Sequence, residues 1–272
     1  MPKVSCVMPT YRRFNCVERS ISCFLAQETE LETELIICNT DVEYPLVLDD
    51  SFSYEDLLRI KIFNSNIDLN TGKPYKSTGA IRRDGVARST GEYYITWDDD
   101  DIFLPWNIQQ CYDGLVRTGK RAWKPKKSIM WWADAPKLEF NVLEATAMMY
   151  IAEATFDENS GPEGMSWYQR LINNNQISED EDGIPGYCYY WKDPVEIGGH
   201  KQGNALDINK PNNFELHMSR CVDHATRAFT KRNLSYYDDI ISRMKFIFDD
   251  ISKNKPDTYA KYVNQFFTKD TQ

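Results

Sequence analysis

The sequence has no Cys-x-x-Cys pair, no apolar run approaching a membrane span, and no excess of basic residues. Its seven cysteines, an odd number without that spacing, argue against a disulfide scaffold and against a structural zinc site, and fit a reducing compartment. Cys6 and Cys38 lie in apolar stretches, where a thiol packs as a small hydrophobe. A signal peptide or spanning helix needs an apolar stretch that is missing here. The expectation is therefore a cytoplasmic protein that reaches a membrane only peripherally. With 32 basic against 41 acidic residues the formal charge is −9, which disfavours a protein whose main task is gripping a nucleic-acid backbone. Repeats, coiled coils and low-complexity tracts are also absent.

What remains is a chain of 272 residues, 42% apolar and 13% aromatic, enough for one large α/β domain with an appendage. Residues 4–8 form a short apolar run stopped by Pro9, which predicts a buried first strand. Val17, Ile21, Phe24 and Leu25 recur at helical spacing over 16–27, with Asn15 available as N-cap. A second strand at 34–38 follows, giving the strand–helix–strand order of a parallel sheet. The same reasoning predicts a short helix over 56–60, a strand over 60–63, a helix over 81–89 closed by Gly91, a strand over 93–97 and a helix over 106–115. Beyond it come alternating strands over 128–156, a helix over 163–172, an acidic loop over 178–182, a strand over 187–191, and helices from about 213 to 251.

The strand at 93–97 runs straight into Asp98, Asp99, Asp100 and Asp101. Ligand sites in open α/β sheets lie beyond the carboxyl ends of strands. Four adjacent carboxylates raise one another's pKa values unless a cation offsets the repulsion, and their oxygens suit Mg²⁺ or Mn²⁺. Alternation along an extended segment puts Asp98 and Asp100 on one side. Asp100 is expected to bind the metal directly, and Asp98 the ribose or the ion. The competing reading is a solvated acidic turn. The loop of Pro9, Thr10, Tyr11, Arg12 and Arg13 follows the first strand, and Asp41 ends the second, so both can meet a nucleotide. Arg82, Arg83 and Arg88 precede the aspartates and can neutralise a diphosphate, although solvated helix faces also collect arginines.

Three stretches carry a family resemblance: the run from Val4 to Arg13, the run from Gly79 to Glu92, and Trp97-Asp-Asp-Asp-Asp-Ile-Phe-Leu-Pro105. In order and spacing they resemble the family 2-like glycosyltransferases of GT-A fold, over roughly residues 3–110. The resemblance implies a mixed, mostly parallel sheet flanked by helices, with a helical C-terminal extension. It also implies a nucleoside-diphosphate sugar as donor, a UDP-sugar being favoured, held through Mn²⁺ or Mg²⁺ by an Asp-x-Asp motif that maps to Asp98 and Asp100, with Asp99 between them. Thr10, Tyr11 and Asp41 would surround the nucleobase. Ser89 stands where the pattern has Asn. The run from Glu163 to Arg170 resembles the helix that carries the catalytic base, but Gly164 occupies the commoner base position, leaving Glu163 as its replacement and Asp157 and Glu158 in reserve. His200 resembles a late histidine used near the metal or diphosphate.

These readings divide the chain into a transferase domain at 1–212, with a nucleotide-sugar part at 1–110 and an acceptor part at 111–212, and a helical extension at 213–272. The expected reaction is inverting transfer to a hydroxyl of a glycan or lipid-linked glycan. Lys120, Arg121, Lys124, Lys126 and Lys127, beside Trp123, Trp131 and Trp132, offer a second acceptor, a modified base in DNA. Two other readings are a metal-dependent nucleotidyltransferase or phosphatase, and a nucleotide- or glycan-binding protein that has lost its base.

Overall fold

The computed structural model describes residues 1, 3–131, 135–140, 146–156, 165–180, 183–190, 228–229 and 235–264. Its first half is built as the apolar periodicity dictates. Strand β1 (Lys3–Thr10) leads to α1 (Phe14–Leu25), β2 (Glu32–Asn39), β3 (Val47–Leu48), α2 (Tyr54–Arg59), β4 (Ile60–Asn64), α3 (Thr78–Arg88) and β5 (Tyr93–Thr96). Then follow β6 (Ile102–Phe103), α4 (Asn107–Thr118), β7 (Ala122–Pro125), β8 (Lys127–Trp131), β9 (Lys137–Phe140) and β10 (Met148–Tyr150). The described remainder holds α5 (Met165–Asn173), β11 (Ile177–Asp180), β12 (Tyr187–Tyr190), β13 (Ala228–Phe229), α6 (Ser235–Asn254) and α7 (Pro256–Tyr262).

The main sheet has the order β11-β7-β10-β5-β1-β2-β4. Strands β5, β1, β2 and β4 run parallel, β10 is antiparallel to both its neighbours, and β11 pairs parallel with β7. A smaller sheet has the order β6-β12-β8-β9. This is the mixed, mostly parallel sheet flanked by helices of the GT-A architecture, with helices at the C-terminal end.

Period-two alternation along the central strands divides the core between the two faces. Val4, Cys6 and Met8, with Leu35 and Ile37 and with Ile95 and Trp97, pack against Val17, Ile21 and Phe24 of α1 and Met244 and Phe248 of α6. Val7, Ile36, Cys38 and Tyr94 face the other way, toward Ile81 of α3 and Trp167 and Leu171 of α5. At Gly85 an added Cβ would fall 2.2 Å from Val7 Cγ1, so α3 lies on β1 only because that position has no side chain.

Several expectations shift once packing is visible. Helix α1 begins at Phe14 with Arg13, not Asn15, at its N-cap position. Helix α3 begins at Thr78 under a Ser77 cap whose hydroxyl accepts from the Ala80 amide. Gly91 does not close that helix; its Cβ would strike Ser5 Oγ at 2.6 Å, so it serves close packing on β1. The acidic segment expected as a loop is in part the edge strand β11. Glu179 there meets Lys124 at 3.2 Å and Asp180 pairs with Arg117, so charge stabilises the strand at the sheet's border. Residues 228–229, expected to be helical, pair with β3 as a strand. The six cysteines among the described residues are buried and reduced. No described helix is long and apolar enough to cross a membrane.

Candidate active site

The carboxyl ends of β1, β2 and β5 lie side by side, and the chain leaves all three in polar loops. The end of β2 is stiffened by Asn39, whose Oδ1 accepts from the Asp41 amide at 3.1 Å while its Nδ2 donates to Asn64 Oδ1 at 2.8 Å. This fixes Asp41, which is buried. Its carboxylate accepts from Arg12 Nε at 2.7 Å and from the Glu43 amide at 3.1 Å. The Arg12 guanidinium stands over the rings of Tyr11 and Tyr44, 5.1 and 5.5 Å from their centroids. Loop Tyr11–Arg13 thus joins the ends of β1 and β2.

The end of β5 is anchored by Trp97. Its ring stacks on Phe103 at 3.8 Å, meets Phe24 edge-on, and donates from Nε1 to the Ser20 carbonyl at 3.3 Å. The aspartates that follow alternate. Asp98 and Asp100 keep 22% and 16% of their side chains exposed, whereas Asp99 keeps 4% and Asp101 is buried. Each has its own partner. Arg82 Nη2 donates to Asp98 Oδ1 at 2.6 Å. Arg13 Nη1 donates to Asp99 Oδ1 at 3.0 Å and Asp100 Oδ2 at 2.7 Å, and Thr10 Oγ1 donates to Asp99 Oδ2 at 2.6 Å. Arg19 Nη2 donates to the Asp100 carbonyl at 2.6 Å. Asp101 accepts from the Tyr187 hydroxyl and, at 3.2 Å, from the Tyr190 amide.

Burial pushes Asp99 up to about 6, against the opposing pull of Arg13, with Asp100 adding to the rise. Burial likewise holds Asp101 well above the usual carboxylate range, with Asp100 and Asp98 contributing, while the Tyr187 hydrogen bond pulls the other way. Arg82 and Arg13 offset part of the repulsion in the run, and Arg19 holds its backbone at the Asp100 carbonyl.

Of the expected site residues, the fold brings together Pro9, Thr10, Tyr11, Arg12 and Asp41 on one side and Arg82, Asp98, Asp99 and Asp100 on the other. It does not bring in the other two arginines. Arg83 turns to Asp68 at 2.7 Å and Asp84 at 3.4 Å, and Arg88 lies over the Phe63 ring at 4.5 Å. Adjacent or two turns away on α3, they face a different surface from Arg82. Glu163, Asp157, Glu158 and His200 lie outside the described residues. Arg13, Arg19 and Tyr187 are contacts that the sequence pattern did not single out as site residues. Arg13 lay within the recognised loop, but nothing local distinguishes Arg19 or Tyr187, since their partners are 81 and 86 residues away.

The basic stretch is dispersed. Lys124 is fully buried, Arg121 donates to Glu153 at 2.9 Å, Lys120 donates to the Asn175 carbonyl at 2.7 Å, and only Lys127 of the five is exposed. Trp123 and Trp131 are core residues, and Trp132 lies outside the described residues.

Asp98 and Asp100 present hard anionic oxygens at the rim, the chemistry that Mg²⁺ and Mn²⁺ prefer. Among the described residues no third Asp, Glu, His or Cys joins them in a ready-made cluster. A pair of carboxylates fits a cation that completes its shell with phosphate oxygens and water.

Residues 5–123 match the family model described as Glycosyl transferase family 2. Among solved structures, TarS of S. aureus in complex with UDP aligns with a TM-score of 0.52 at 14% identity, covering 96% of this chain and 75% of that one. The same protein in complex with UDP-GlcNAc gives 0.52 at 14%, covering 96% and 76%. The mannosyltransferase PcManGT of Pyrobaculum calidifontis, in complex with GDP-Man and Mn²⁺, gives 0.50 at 12%, covering 83% and 66%. At such identities the likeness speaks for the fold. No curated protein sequence matches. The motif-bearing loops and the family match over residues 5–123 agree with a sheet order of GT-A type, and this part of the chain is similar to the family 2 glycosyltransferases.

Proposed function

We propose that the protein transfers a sugar, with inversion and with the help of Mn²⁺ or Mg²⁺, from a nucleoside-diphosphate sugar to a hydroxyl of a glycan or lipid-linked glycan. The observation that carries this reading is the rim of Asp98 and Asp100, partly exposed at the end of β5, with Arg82 and Arg13 beside them. Asp100 would be the direct metal ligand and Asp98 a ligand of ribose or metal. The base would lie near Tyr11 and Asp41, with UDP favoured over other nucleotides. The ion would supply charge stabilisation for the departing diphosphate.

The remaining chemistry belongs to the chain. A hydroxyl is a poor nucleophile until a carboxylate accepts its proton, and Glu163, with Asp157 in reserve, is the proposed base. The acceptor oxygen forms its bond to the anomeric carbon as the bond to the diphosphate oxygen breaks, which inverts that carbon. Negative charge then grows on the leaving diphosphate, where Arg82 and Arg13, if freed from the aspartates, can meet it. The buried Lys124 and the dispersed neighbouring cations disfavour a DNA acceptor. Residues 1–212 are proposed as the catalytic unit and 213–272 as its extension.

The test is a thermal-shift screen of nucleoside diphosphates and nucleotide sugars with and without Mn²⁺, followed by product analysis. The reading expects a metal-dependent shift with one nucleotide and release of nucleoside diphosphate on turnover. Release of pyrophosphate would identify a nucleotidyltransferase instead, and no shift with any compound would remove the donor assignment.

A further inference from the structure

Two arginines adjacent in sequence each stand on a carboxylate that the donor complex would use. Arg12 donates to Asp41 at 2.7 Å and to Glu43 at 2.9 Å, and its guanidinium covers the rings of Tyr11 and Tyr44. Asp41 is only 3% exposed, so a base edge reaches its carboxylate only where Arg12 gives way. Arg13, its side chain 10% exposed, bridges Asp99 at 3.0 Å and Asp100 at 2.7 Å. An incoming divalent ion therefore meets a carboxylate that already has a cation.

The two contacts are mechanically joined. Arg12 has φ 52°, the left-handed region, which a residue with a Cβ occupies at a cost of about 1–2 kcal/mol. Immediately beyond, the Arg13 carbonyl accepts from the Val17 amide at 2.9 Å, so α1 holds the far end of the segment. Relief of the strained φ turns the backbone about the N–Cα bond of Arg12, between the end of β1 and the end of the segment that α1 holds. With the helix fixed, a turn of this short backbone segment that re-aims one guanidinium re-aims the other as well.

We propose that Arg12 and Arg13 form one latch over the donor site, so that nucleobase and metal, by displacing the two halves of the same loop, reinforce each other's binding. This rests on the nucleotide and metal reading above. The coupling is reciprocal by linkage: whatever factor the base adds to metal affinity, the metal adds to base affinity. It also runs between groups that need not touch, since the base end and the metal end of the loop hold different carboxylates.

The experiment is a Mn²⁺ titration followed by electron paramagnetic resonance, with uridine, guanosine, adenosine and cytidine titrated in turn. Neutral nucleosides have no phosphate to bridge the ion, so any mutual effect passes through the protein. In the wild type, the nucleoside that binds should tighten Mn²⁺ about three- to tenfold. Arg13→Ala should bind Mn²⁺ about tenfold more tightly with no nucleoside present. Arg12→Gly, whose glycine takes a left-handed φ at no cost, should abolish the coupling. It also keeps the test intact if Arg13→Ala, which strips a partner from buried Asp99, fails to fold by circular dichroism. Binding of nucleoside and Mn²⁺ without mutual effect overturns the latch and leaves the donor reading standing. Failure of Mn²⁺ and all four nucleosides to bind overturns the donor reading itself.

Discussion

The parallel strands carry acidic centres at both ends, and the two are built in opposite ways. At the amino-terminal edge, Glu34 is 1% exposed and accepts from Ser5 Oγ at 2.6 Å, Lys61 Nζ at 2.6 Å and the Thr90 amide at 2.6 Å, with Lys3 at 3.1 Å. Burial works to raise its pKa, yet Lys61, Ser5, Thr90 and Lys3 together pull it down to about 2. At the carboxyl-terminal edge, Asp98 and Asp100 stay partly open to water and are offset by arginines reaching across from α3 and from the loop before α1. A carboxylate saturated with partners and sealed from water holds strands together. A carboxylate left partly open to water beside an arginine is equipped to bind something.

That contrast gives predictions in descending order of effect. Asp100→Asn should lower kcat about 1,000-fold, roughly 4 kcal/mol of transition-state stabilisation, and shift Tm by only a few degrees. Steady-state kinetics and a melt on the same preparation check this; an unchanged kcat moves the chemistry away from the rim. Glu34→Ala should do the reverse, costing about 3 kcal/mol in urea unfolding by orphaning its donors while leaving kcat of the folded protein unchanged.

The stability that Glu34 supplies should also be pH-dependent. Its folded pKa, about 2, is depressed below the unfolded value near 4.3, so its contribution is fully present above about pH 4.3 and fades as pH falls toward 2. Comparing urea midpoints of the wild type and Glu34→Gln from pH 7 to pH 3 measures it: a gap of about 2 kcal/mol should narrow below pH 4.3. A gap that persists unchanged to pH 3 would assign the stability to packing. The smallest effect separates neighbours on α3. Arg82→Ala should weaken nucleoside diphosphate binding about tenfold in calorimetry, whereas Arg83→Ala should change it less than about twofold and cost about 1 kcal/mol of stability.

Much of this was legible in the chain. The short apolar runs of β1, β2 and β5 and the helical spacing of Val17, Ile21 and Phe24 identify their elements, because a strand buried on both faces reads as a continuous apolar run and a helix packed on one face as a spaced one. The aspartates alternate between exposed and buried as an extended segment would, but they lie in a turn beyond β5 that Arg13, Arg82 and Tyr187 hold. Elements whose existence depends on a distant partner were not legible. Strand β11 is acidic and looks like a loop until Lys124 and Arg117 are placed beside it, and β13 exists through its pairing with β3.

The sequence by itself determined the fold class and the location of the acidic rim, because local periodicity and closely spaced motifs carry them. Only the tertiary structure decided which charges meet. Arg82 reaches Asp98 while Arg83 does not, since one residue along a helix turns a side chain by roughly 100°. Arg13, Arg19 and Tyr187 find the aspartates across some 80 or more residues of chain, a distance that no local pattern encodes. Packing brings Arg82 and Arg13 to Asp98, Asp99 and Asp100, and the Tyr187 hydroxyl to Asp101, counter-partners that the run itself does not encode.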